Sequence, residues 1–63
     1  MIVKKTSSGV YKVDYNGLVF EIENMTEYSQ GWTIKENDFF GEWLNSFDTK
    51  RNCLAWIENK FGS

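Results

Sequence analysis

The dipeptide Asn16-Gly17 stands between two stretches of alternating side chains, Val10-Tyr11-Lys12-Val13-Asp14-Tyr15 and Leu18-Val19-Phe20-Glu21-Ile22-Glu23. Asn-Gly suits the two central positions of a type I′ turn, because each needs a positive φ that other residues resist. A two-residue turn leaves no freedom of register. It sets Tyr15 opposite Leu18, Val13 opposite Phe20 and Tyr11 opposite Ile22, so these six side chains share one face. Lys12 then meets Glu21 on the other face as a favourable cross-strand pair.

The remaining segments extend this hairpin. Asn24 to Gln30 is polar and reads as a connection, and Gly31-Trp32-Thr33-Ile34-Lys35-Glu36 alternates again. Asn37-Asp38 marks a turn. Residues 41–47 form a fourth expected strand, with Trp43, Asn45 and Phe47 on one face. Asp48 or Thr49 can cap a helix over residues 49–61 that Gly62 stops. Cys53, Leu54, Ile57 and Phe61 recur at helical spacing and form its apolar stripe, bordered by Trp56. Lys60 complements the helix dipole, whereas Lys50 and Arg51 in the first turn oppose it. The expected architecture is α+β: a four-stranded antiparallel meander (10–15, 18–23, 31–36, 41–47) with one C-terminal helix packed on one face.

A chain of 63 residues has room for one small domain, 1–63, and little room for a deep cofactor cleft. It has no His and one Cys, which removes the commonest general base, an internal disulfide and a multi-Cys zinc site. Cys53 has no His to activate it and sits on the apolar stripe, where it reads as a buried small hydrophobe. Glu21 and Glu23 fall on the solvent face by alternation alone. Glu36, Asp38 and Glu42 do not follow the calcium-loop spacing, and Asn24-Met25-Thr26 matches a glycosylation sequon of the kind that recurs by chance. The expectation is therefore no enzyme, no catalytic residue, no metal and no cofactor. Apolar runs are too short to span a membrane, and MIVKKTSSG lacks the apolar region of a secretory signal.

The formal net charge of −2 is unevenly distributed. Residues 1–20 carry Lys4, Lys5 and Lys12 against Asp14. Residues 21–42 carry Glu21, Glu23, Glu27, Glu36, Asp38 and Glu42 against Lys35 alone. The acidic middle disfavours nucleic acid, whose phosphates need a basic footprint, and suits a basic protein surface. Aromatic residues make up 17% of the chain, more than a small core hides. Tyr11, Phe20, Trp32, Trp43, Phe47 and Phe61 are expected inside, with Val13, Ile22, Ile34, Leu54 and Ile57. Tyr28, Phe39, Phe40, Leu44 and Trp56 are left without an internal place, and exposed aromatics are common interface anchors. Phe39, Phe40, Leu44 and Trp56, oriented by Glu36, Asp38 and Glu42, form the expected protein-docking site.

The order Gly9-Val10-Tyr11-Lys12-Val13, Asn16-Gly17, Phe20-Glu21-Ile22, Gly31-Trp32-Thr33-Ile34 and Phe47-Asp48-Thr49-Lys50, leading into a short C-terminal helix, resembles small uncharacterised proteins of tailed phages. The resemblance implies a cytoplasmic accessory protein that acts by binding a host or phage protein, and it carries over no functional residue. The leading expectation is thus a non-enzymatic protein-interaction module. Two alternatives stand beside it. One is a single-stranded nucleic-acid binder, with sheet aromatics stacking on bases and Lys4, Lys5, Lys12, Lys50 and Arg51 on the backbone. The other is a self-associating structural piece or homodimer, joined through open strand edges.

Overall fold

The computed structural model describes residues 1–37 and 41–62. Five strands run in the order β1 (Ile2–Ser7), β2 (Val10–Tyr15), β3 (Leu18–Met25), β4 (Gly31–Glu36) and β5 (Trp43–Phe47), followed by helix α1 (Lys50–Phe61). Each strand pairs antiparallel with the next in one sheet of order β1-β2-β3-β4-β5. The α+β class and the C-terminal helix are as expected; the strand count is five rather than four. The added strand is β1, whose six residues are all exposed. A strand exposed on both faces carries no apolar alternation, so nothing in Ile-Val-Lys-Lys-Thr-Ser announces it beyond its β-branched residues.

The β2–β3 hairpin has the register that its turn dictates: Tyr15 opposite Leu18, Val13 opposite Phe20, Lys12 opposite Glu21, Tyr11 opposite Ile22. Asn16 and Gly17 adopt φ of 51° and 79°, the two left-handed residues of a type I′ turn. β3 runs two residues beyond its expected end, and the polar connection begins with a 3-10 turn over Thr26–Tyr28. Asn24 organises that turn: its Oδ1 accepts from the Thr26 amide (3.1 Å) and the Thr26 hydroxyl (2.6 Å). At Gly31 the chain re-enters the sheet with φ of 71°, and a Cβ there would lie 2.5 Å from the Phe47 carbonyl oxygen. Glycine is therefore required at this position for both backbone conformation and space.

The core lies between the sheet and α1. Val13, Phe20, Ile22 and Ile34 from the sheet and Cys53 and Ile57 from the helix are buried, with Tyr11, Tyr15, Trp32, Leu44, Phe47, Leu54, Trp56 and Phe61 packed around them. α1 lies over β3, β4 and β5. The core is on the helix side, and the opposite sheet face is mainly polar, with Thr33 buried there at 4% exposure.

Two expectations about the last strand are corrected. Asn45 and Phe47 face the helix, opposite Ile34 and Trp32, but Trp43 pairs with Lys35 on the other face. The cause is a register shift between Ile34 and Lys35, which leaves Leu44 as the extra residue. One inserted residue inverts the facing of everything beyond it. Trp43, expected in the core, is 56% exposed, and Leu44, expected outside, packs on the core. Trp56 is likewise part-buried rather than free, with its ring centroid 6.3 Å from Phe47 and 5.9 Å from Phe61. Tyr28 is exposed as expected.

Helix α1 is capped by Thr49, whose side-chain oxygen accepts from the Asn52 amide at 3.1 Å. Lys50, unfavourable for the dipole, places its Nζ 4.1 Å from the centre of the Tyr11 ring, and this cation–π contact offsets the misfit. Gly62 follows the helix but is right-handed, with φ of −87°. Its glycine provides room rather than a left-handed turn, since a Cβ would stand 2.7 Å from the Tyr15 hydroxyl.

Candidate functional site

One end of the sheet gathers the β2–β3 turn, the end of β4, the start of β5 and the helix C-terminus. Asn16 ties two of these together, donating from Nδ2 to the Phe61 carbonyl at 3.0 Å. Residues Glu36 and Glu42 bracket the β4–β5 loop, and the Glu36 amide donates to the Glu42 carbonyl at 2.9 Å. The Asn37 amide in turn donates to the Val19 carbonyl at 3.0 Å, anchoring the loop base to β3.

Between these elements lies a groove of about 270 Å³ lined by Gly17, Leu18, Val19, Phe20, Glu36, Asn37 and Phe61. Its floor is aromatic: the Phe20 and Phe61 rings lie 5.0 Å apart. Leu18, at its mouth, remains 44% exposed. Leu18 is the inner-face residue of β3 nearest the turn, where Phe61 from the last turn of α1 lines the same groove and leaves it partly open. The helix ends at Phe61, as its Gly62 stop predicts, and the groove stays open beside it.

Of the residues expected to dock a partner, Glu36 and Glu42 are brought together at the loop base. Phe39, Phe40 and Asp38 lie outside the described residues. Leu44 and Trp56 belong chiefly to the packed interior. Tyr11, Phe20, Trp32 and Phe47, the sheet aromatics available for base stacking, lie on the helix-covered face. On the opposite face a row crosses all five strands: Lys4, Lys12, Glu21, Lys35, Trp43. Lys5 faces the helix side, opposite Tyr11, and Lys50 sits over the same ring. The basic residues named for a nucleic-acid path are thus divided between the two faces.

Cys53 is fully buried, and its Sγ donates to the Trp32 carbonyl at 3.4 Å. Burial pushes the thiol pKa up to about 11, the backbone hydrogen bond acting in the opposite, smaller sense. Such a thiol is a poor nucleophile, since the reactive form is the thiolate. No group of three or more His, Cys, Asp or Glu suited to a metal ion occurs among the described residues, and none of their helices is long and apolar enough to cross a membrane. Compared with protein-family models, curated proteins and solved structures, the chain matches none.

Proposed function

We propose that this chain is a non-enzymatic protein-binding module whose partner seats an apolar side chain in the groove at the β2–β3 turn. The observation that carries the reading is Leu18, a large apolar residue half-open at the mouth of a groove floored by Phe20 and Phe61. Apolar pockets with a polar rim are where interface anchors insert. Glu36 in the groove wall, with Glu42 bonded to it through the backbone, favours an anchor flanked by basic residues. The acid-rimmed apolar site expected from the sequence rests on Phe39, Phe40, Leu44 and Trp56; the groove keeps that character and is centred on Leu18. The likeness to tailed-phage proteins supports a cytoplasmic accessory role with a host or phage partner.

The test is a tagged pull-down from nuclease-treated bacterial lysate, with wild type, Leu18→Glu and the double variant F39A/F40A run in parallel. A stoichiometric partner retained by wild type and lost from folded Leu18→Glu is the expected result. A partner held equally by wild type and Leu18→Glu removes the groove reading.

A second reading, single-stranded nucleic-acid binding, draws on Trp43 lying exposed in one transverse row with Lys4, Lys12 and Lys35. Glu21 inside that row opposes it. Quenching of tryptophan fluorescence by a short oligonucleotide at low salt separates the two readings.

A further inference from the structure

The first strand is the feature that neither the core nor the groove accounts for. β1 contributes nothing to the buried core: all six residues are exposed, Ile2 by 67%. Among the described residues it pairs only with β2, so its far side presents a row of backbone donors and acceptors with no partner strand among them, the template on which another strand can form. Its pairing over Ile2–Lys5 is regular, the irregularity falling later, between Lys5 and Ser7. At its centre Lys4 stands directly opposite Lys12, a like-charged pair that weakens the β1–β2 ladder. Lys5 opposes Tyr11 and faces the other side of the sheet. The open edge therefore presents one ammonium to each face, beside the apolar Ile2 and Val3.

We propose that β1 is a strand-addition site for an extended acidic segment of a partner protein, which lengthens the sheet to six strands. Main-chain hydrogen bonds supply the register, and alternate side chains supply the selection. An antiparallel guest meets Lys5, Lys4, Val3 and Ile2 in that order. Two consecutive carboxylates followed by two β-branched residues complement all four positions. The guest carboxylate beside Lys4 also relieves the Lys4–Lys12 repulsion, which Glu21 offsets only from the far side of Lys12. A second copy of this chain is a poor occupant. The two symmetric antiparallel registers that pair most of β1 set Lys4 or Lys5 opposite itself, and edge lysines deter such self-pairing. This edge lies apart from the groove at Leu18, so either surface can fail without the other.

The test titrates the full isotope-labelled chain with the peptide Thr-Glu-Glu-Val-Ile-Thr and with its Lys-Lys counterpart, reading backbone amide shifts. The expected result is that the acidic peptide shifts the amides of residues 2–6 and leaves Trp43–Phe47 unmoved. The double variant K4E/K5E should weaken it about tenfold, as two exposed ion pairs would, and should prefer the Lys-Lys peptide instead. The variant is expected to fold, because Lys4→Glu replaces a like-charged pair with an opposite one; Lys4→Arg/Lys5→Arg should bind as wild type does. Shifts on β5 or around Leu18, equal binding of both peptides, no shifts at all, or no effect of K4E/K5E would each overturn the proposal. So would sedimentation of the free chain as a dimer with protected β1 amides, which would give the edge to a second copy.

Discussion

Replacing Asn16 isolates the bond that links the hairpin turn to the helix. Asn16 has two tasks, a left-handed φ of 51° and the 3.0 Å hydrogen bond from Nδ2 to the Phe61 carbonyl, one of the helix carbonyls without a partner in the helix itself. Asn16→Gly keeps the first and loses the second. The bond is exposed and neutral, so its loss costs about 0.5–1 kcal/mol. Asn16→Asp also tolerates the left-handed conformation, but its carboxylate only accepts, and it sets a negative charge at the negative end of the helix dipole. That adds about 0.3–1 kcal/mol, for a total of about 1–2 kcal/mol. For a domain of this size each kcal/mol lowers Tm by about 4–8 °C. Urea and thermal unfolding at pH 7 should therefore rank wild type above N16G and N16G above N16D. The introduced carboxyl is disfavoured in its charged form by the folded state, so its folded pKa is raised. Its extra penalty is present above that pKa and disappears as pH falls through about 4. N16D should then converge on N16G. Equal stability of wild type and N16D at pH 7, or a gap between N16D and N16G that ignores pH, would refute the link between turn and helix.

Three further outcomes are expected. If the bulge turns Trp43 out and Leu44 in, Trp43→Ala should change unfolding free energy by less than about 0.5 kcal/mol, whereas Leu44→Ala should cost about 1–3 kcal/mol; equal losses in denaturant titrations would contradict the inverted facing. Thr33 is 4% exposed, and its Oγ1 has no hydrogen-bond partner among the described residues. Thr33→Val should be neutral or stabilising by up to about 1 kcal/mol by calorimetry, because an unpaired buried hydroxyl is replaced by a methyl of the same shape. The Cys53 thiol ionises near 9.0 when unfolded and near 11 when folded, so the unfolded chain releases its proton first. Wild-type stability should fall by about 2 kcal/mol between pH 9 and 11 relative to Cys53→Ala, most of the two-unit difference at about 1.4 kcal/mol per pKa unit. Parallel pH profiles of the two proteins would show that the thiol is not desolvated.

What the chain determines by itself is local. Asn16-Gly17 sets a turn, the turn sets a register, and the register places Val13, Phe20 and Ile22 on one face, all from interactions spanning a few residues. Thr49 and the spacing of Cys53 and Ile57 define the helix and its buried side in the same way. Three things were decided only when the elements met. β1 exists because β2 offers it an edge, and a strand with no buried face leaves no periodic trace. Trp43 and Leu44 exchanged places because one extra residue entered β5 opposite β4, a mismatch between strands that neither strand records alone. Leu18 alternates as a core residue and still stands 44% exposed, because the end of α1 meets the turn at Asn16 and leaves an open groove between Phe61 and Leu18. Alternation tells which face a side chain takes; whether anything covers that face depends on the length and position of the element packed above it.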